Sequence, residues 1–259
     1  MGKLFDLDSP LIRALNKMAD VMLLNILVIV FAIPLIAEQL FMLGPVLMGD
    51  AEFALSYVFY AWLFGIICCI PLGSALTAMH FVLLKIVRDE ESYIAKTFFK
   101  SYRQNFKQAT VLMLLQFIVG GILLIDFMLM RNSGPIYRYV IMAGSIVIYL
   151  ASLYIFPLQS KFENTIPGTI KNSFLMAVMA LPKTIAMALV SLLPLLLLYF
   201  FDLKILPLLF LLGIAGPGFL CAALYSETFR RFEPKEEVLT EEEELEKAIK
   251  KIDEDSTEV

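Results

Sequence analysis

The chain has 259 residues, of which 59% are hydrophobic and 18% charged, and its mean hydropathy is +0.79 with a formal net charge of −4. That balance excludes an ordinary water-soluble globular domain. In hydrocarbon every backbone polar group must be satisfied internally, which leaves helices or closed barrels. The apolar runs are too long for barrel strands and lack their period-2 alternation, so helices are expected.

Residues 1–17 mix Leu4, Phe5, Leu7, Leu11, Ile12 and Leu15 with charge. Ser9 followed by Pro10 reads as an N-cap and first helical residue. A short interfacial helix is expected there before the chain turns into a first span. Six apolar runs follow, near 18–37, 57–84, 109–130, 139–158, 174–201 and 205–225. Each is about as long as a bilayer-spanning helix, roughly 20 residues. The first run is too long for a cleavable signal and is followed by no small-residue cleavage site, so it reads as a retained signal-anchor.

The outer loop 38–54 carries Glu38, Asp50 and Glu52 and no base. Run two is interrupted by Pro71 and Gly73, which predicts a kink or tilt. The segment after it repeats Ile94, Phe98, Tyr102 and Phe106 every four residues, with Lys96, Lys100, Arg103 and Lys107 on the flanks. That pattern fits either an interfacial helix attracted to anionic lipid or a connecting helix packed on the bundle. Asp126, near the outer end of run three, is expected to pair with Arg131 or to snorkel. In run five Pro182 and Lys183 place the true span nearer 184–201. Runs five and six are joined only by Asp202–Lys204, which predicts a tight helical hairpin. Gly213, Gly216, Pro217 and Gly218 in run six mark close helix contact or a local break.

Residues 1–231 hold 17 basic and 13 acidic side chains, a balance of +4, whereas 232–259 hold 4 basic and 12 acidic, a balance of −8. The tail is therefore a separate acidic element. Thr240 and Glu243 form a capping box, Glu243–Lys247 and Glu246–Lys250 are favourable pairs, and Leu245, Ala248, Ile249 and Ile252 share one face. A docking amphipathic helix is expected. With the N-terminus cytoplasmic, 18 of the 21 bases fall inside and only Arg131, Arg138 and Lys204 outside. The positive-inside rule then gives an all-α polytopic bundle of about six spans with both termini cytoplasmic. Its parts are an N-terminal interfacial segment 1–17, a transmembrane domain 18–231 that includes the amphipathic segment 89–107, and the tail 232–259.

Chemistry is sparse. Phosphate-binding, nucleophile-elbow and zinc-protease motifs are missing, and one histidine cannot build a multi-histidine site. Cys68, Cys69 and Cys221 lie inside apolar runs and read as membrane-packed thiols rather than metal ligands. No catalytic, cofactor-binding or metal-binding residue is expected, and no nucleic-acid partner. Counting from each cytoplasmic anchor, Asn25, His80, Gln116, Ser152 and Ser191 fall roughly 8–14 Å inside the boundary at 1.5 Å per residue. Polar groups are costly in lipid, so these five read either as one shared cluster or as independent interhelical contacts.

The blocks NILVIVFAIP at 25–34, GSALTA at 73–78, KIVRDEE at 85–91, FFKSYRQNFKQ at 98–108 and KNSFLMA at 171–177 occur in order. On these the chain resembles the YesL-like family of bacterial integral membrane proteins, over about residues 4–230. Here residues 37–70 intervene where the family runs directly between the first two blocks, so the first transmembrane unit is expanded. The resemblance implies a multi-pass protein of the bacterial cell membrane, associated with carbohydrate-uptake and degradation gene clusters, and supplies no catalytic residues. The expected function is a non-enzymatic accessory or regulatory partner of carbohydrate importer subunits or a membrane sensor. The alternative is a small-molecule transporter using the polar layer. A membrane enzyme would need charged catalytic pairs that the runs do not show.

Overall fold

A computed structural model describes residues 10–49, 54–90, 93–130 and 134–233. The tail helix, the outer-loop acids Asp50 and Glu52, Arg131 and the first nine residues lie outside the described residues. The chain divides into two units, 1–227 and 228–259. All regular structure among the described residues is helical: α1 Pro10–Leu47, α2 Leu55–Cys68, α3 Ile70–Val87, α4 Ile94–Leu129, α5 Pro135–Lys161, α6 Ile166–Met179, α7 Leu181–Ser191, α8 Leu193–Phe201, α9 Leu206–Leu212 and α10 Ala215–Arg230.

Five stretches are long and apolar enough to cross a membrane, namely Pro10–Val46, Ile70–Val87, Ile94–Leu129, Pro135–Lys161 and Leu181–Leu212, and Leu55–Cys68 is a shorter apolar helix. The protein is a polytopic helical bundle. Pro10 is already helical, and no separate interfacial helix follows it among the described residues. α1 runs unbroken through Pro34 and Pro45. Run two is two helices meeting at Cys69, whose φ −79° and ψ −9° bend the path without reversing it. Pro71 then sits in the first turn of α3, where its missing N–H costs nothing. Run five is likewise divided, with Pro182 and Pro194 opening α7 and α8.

The last two runs form the expected hairpin. Asp202 adopts φ +50°, a short 3-10 turn covers Asp202–Ile205, and the chain returns so that Lys183 Nζ meets Glu227 at 2.6 Å and Cys221 lies on the Met187 carbonyl at 3.8 Å. Ends that the charge pattern assigns to one side also meet elsewhere. Lys17 pairs with Asp89 at 2.6 Å, and Arg88 donates to Ser226 at 3.2 Å. Such exposed pairs contribute about 0–1 kcal/mol, so they mark the arrangement more than they hold it.

Close packing holds it. α3 and α4 run antiparallel in a tight register: Ser74 Oγ donates to the Phe106 carbonyl and Thr110 Oγ1 to that of Ile70, both at 3.3 Å. Small residues at Gly73, Ser74, Ala75, Thr77 and Ala78 let the backbones approach, the usual way helices associate where lipid removes the hydrophobic drive. Phe98 is wholly buried, and Phe31 of α1 lies 5.9 Å from it and stacks on Tyr102 at 4.5 Å. Cys68, Cys69 and Cys221 are free thiols, the last two buried.

Candidate functional site

A polar network lies where α4 meets the end of α5 and the start of α6. Asn105 and Gln108, three residues apart, share one face of α4. Gln159, in the last turn of α5, donates through Nε2 to Gln108 Oε1 at 2.9 Å and to Asn105 Oδ1 at 3.4 Å. Thr169 Oγ1 donates to Gln159 Oε1 at 3.3 Å. Thr169 reaches that point because Thr165 caps α6, accepting from the Gly168 N–H at 3.3 Å, and so fixes where the helix begins. Gln108 Nε2 donates to the Asn164 carbonyl, and Asn172 Nδ2 to Asn164 Oδ1 at 3.3 Å. Three helices and one loop are thus tied by amides and hydroxyls. Gln159 and Thr169 are buried.

A cavity of about 600 Å³ opens beside this network. Its walls include Ser101, Gln104 and the amides, with the ring of Phe81 among them and Lys161 and Glu163 also contributing. Amides and hydroxyls each offer a donor and an acceptor, so the walls suit a neutral solute with several hydroxyl groups. Among the described residues no three His, Cys, Asp or Glu side chains are grouped to hold a metal ion.

The five polar residues singled out by depth take different partners. Asn25 is fully buried in a break of run six between α9 and α10. In an unbroken helix the Ile214 N–H would donate to the Phe210 carbonyl. Here the Asn25 side chain takes both places: Nδ2 donates to the Phe210 carbonyl at 2.8 Å, and Oδ1 accepts from the N–H groups of Ile214 at 2.8 Å and Ala215 at 2.7 Å. One amide side chain restores what the break removed. His80 Nδ1 pairs with the Tyr225 hydroxyl at 3.0 Å. Ser191 pairs with the Tyr149 hydroxyl at 2.6 Å, and Ser152 donates to the Tyr149 carbonyl at 2.7 Å. Gln116 Oε1 is buried with no hydrogen-bond partner among the described residues, and the residue lines an apolar cavity of about 630 Å³ with Trp62 and Gln39. Tyr149 thus bonds Ser191 through its hydroxyl and Ser152 through its carbonyl, whereas Asn25 and His80 bond elsewhere and Gln116 Oε1 bonds none of the other four. A double-mutant cycle of Tyr149→Phe with Ser191→Ala should show coupling of about 0.5 kcal/mol or more, and one of Asn25→Leu with His80→Leu should be additive within about 0.5 kcal/mol. Strong coupling in the second cycle would restore a single cluster.

On α4 the bases Lys96, Lys100, Arg103 and Lys107 are exposed, as is Phe106, while Tyr102 is half-buried. The segment is the beginning of α4 itself, continuous with the span, and does not form an interfacial helix of its own. Phe98, expected at the lipid interface, instead packs on Phe31. An apolar stripe of helical period looks the same whether lipid or protein covers it. Tyr149, Asn105, Gln108, Gln159 and Thr169 were not singled out from the sequence. A hydroxyl-bearing Tyr149 inside an apolar run was the one available signal, since a hydroxyl within a membrane span needs a hydrogen-bond partner.

Residues 21–127 match the model of a family described as a protein of unknown function, DUF624. The YesL-like resemblance is consistent with that match. No curated protein and no solved structure shows a significant match.

Proposed function

We propose that this membrane protein, whose residues 21–127 match the DUF624 family model, is a non-enzymatic component working beside a carbohydrate-uptake system in the bacterial cell membrane, where it binds a small neutral polyhydroxylated solute. The observation that carries the reading is the amide-walled cavity around Gln159. Its donors and acceptors are fixed before any ligand arrives, which lowers the cost of ordering on binding. Its mixed amide and hydroxyl walls match a ligand whose groups both donate and accept. The YesL-like resemblance supplies the carbohydrate context, and importer subunits or a membrane sensor are the partners it implies.

The test is calorimetric titration of the full-length protein in nanodiscs with glucose, maltose and mannitol, and with glucuronate as the charged counterpart. Heat should appear with at least one neutral member and fall about tenfold or more in affinity for Gln104→Leu and Gln108→Leu, a cost of about 1–3 kcal/mol for unpaired polar groups. Absence of heat with all neutral members, or equal affinity for glucuronate, sinks the solute reading. Mild-detergent purification and mass spectrometry test the partnership separately, and recovery without any importer or sensor subunit would sink that part.

A second reading is transport by the chain itself. What favours it is the broken helix at Asn25, since transporters commonly place discontinuous helices where ions and substrates bind. Flux of the same sugars into proteoliposomes holding only this chain would select it over the accessory role.

A further inference from the structure

The outer surface of α4 carries one ridge of i+4 neighbours, Arg103, Lys107, Val111, Leu115 and Val119, and every member is exposed. Charge gives way to hydrocarbon between Lys107 and Val111, about 6 Å apart along the axis at 1.5 Å per residue. From Val111 to the end of α4 at Leu129 the helix is about 28 Å long, which matches a hydrocarbon core of about 30 Å. The exposed apolar length thus fits the bilayer with Val111 at its edge. Lys107 then falls inside the headgroup layer, which is roughly 5–8 Å thick. Arg103 stands about 12 Å above Val111 and reaches the same layer only by bending its long side chain back along the ridge. Lys100 and Lys96 stand about 16 and 22 Å above Val111, beyond that layer.

Two further features bear on what meets this face. The four bases lie within an arc of about 60° at 100° per residue, on the side of α4 away from the buried Phe98 and Ser101, so the bundle does not cover them. Among the described residues none of the four has an ion-pair partner. Phe106, 38% exposed, lies beside Arg103 and Lys107, about 7–8 Å above Val111.

We propose that this ridge is a binding site for anionic phospholipid, with the phosphate held between Arg103 and Lys107 and the acyl chains lying along Val111, Leu115 and Val119. The guanidinium grips a phosphate through two parallel N–H groups and the ammonium adds a point charge, so the pair offers both geometry and charge. A zwitterionic lipid presents the same phosphate beside its own cation, which competes with the two bases. Selection for net-negative lipid follows. Lys96 and Lys100 are spectators in this site, although the sequence sets all four bases on equal footing.

The experiment uses the full-length protein, delipidated in detergent and offered equal amounts of phosphatidylglycerol and phosphatidylcholine, with retained lipid counted by native mass spectrometry. Wild type should enrich phosphatidylglycerol roughly tenfold or more. The pair Arg103→Gln with Lys107→Gln should abolish the enrichment, and Lys96→Gln with Lys100→Gln should leave it intact. Because all four side chains are exposed, unchanged thermal unfolding confirms the fold in each variant, and Arg103→Lys with Lys107→Arg should restore most of the preference. Equal retention of the two lipids by wild type overturns the proposal, and so does equal loss in the two glutamine pairs, which would mean a diffuse basic collar. Displacement of the lipid by 10 mM inorganic phosphate would assign the site to a free anion. Binding of polyglutamate that needs Lys96 and Lys100, with no lipid preference, would assign the face to an acidic protein.

Discussion

Replacing Asn25 with leucine should cost about 2–4 kcal/mol of stability in detergent or bilayer, more than any other single polar truncation in the spans. The estimate follows from the three bonds its amide makes to Phe210, Ile214 and Ala215. Interhelical hydrogen bonds in membranes are worth about 0.6–2 kcal/mol each, and a buried group left without a partner costs about 1–3 kcal/mol. Leucine strands a carbonyl and two N–H groups at a point where α9 and α10 cannot join to satisfy them. Pro217, two residues beyond Ala215, has no N–H for the Gly213 carbonyl, so closing the break into a continuous helix would still leave that carbonyl without its helical donor. Ser152→Ala is the comparison, because the Ser152 hydroxyl bonds only the carbonyl three residues before it in its own helix. It should change stability by less than about 0.5 kcal/mol. Thermal unfolding of both variants in one detergent decides the matter, and equal losses would mean that the break is held by packing alone.

How far the sequence leads is visible at this same point. Gly213, Gly216 and Pro217 announce a break, and Asn25 announces a polar group that needs partners, but nothing local connects positions 185 or more residues apart. Counting depth from the charged anchors brought Asn25 and His80 into one layer, and the count says nothing about which way each helix faces. Partners came instead from Tyr225, Tyr149 and open backbone. The amide network escaped for a similar reason. Asn105, Gln108, Gln159 and Thr169 lie in three helices, and amides near a span's end look like ordinary boundary residues. What the sequence did convey was set by short-range physics. The proline positions open α3, α7 and α8, the short charged connection at Asp202–Lys204 turns the final hairpin, and the apolar runs are long enough to span.

The amphipathic start of α4 divides between the two cases. Its basic face was legible because charge must remain outside hydrocarbon. The face of Ile94, Phe98 and Tyr102 was equally clear as a pattern, but only the position of Phe31 on α1 decides that protein covers it. The same contact draws α1 and α4 together next to the α3–α4 seam.

That seam yields the second large effect. Gly73→Ala should destabilise by about 1–3 kcal/mol, the usual cost of forcing volume into a packed core, and Gly73→Val by more. A β-carbon at Gly73 would lie 2.4 Å from the Ala109 carbonyl oxygen and 2.6 Å from Met113 Cβ. The first of these is backbone and cannot rotate away, so α3 and α4 must separate. Separation also stretches the Ser74 and Thr110 bonds to the opposite helix, both already at 3.3 Å. Gly120→Ala is the paired measurement. It lies on α4 with no atom within 4 Å of the added carbon, so it should be neutral or slightly stabilising, by up to about 1 kcal/mol from helix propensity. Thermal unfolding of the two alanine variants reads the difference directly. If Gly73→Ala behaves like Gly120→Ala, the α3–α4 register has slack, and close approach through small residues is not what holds these two helices together.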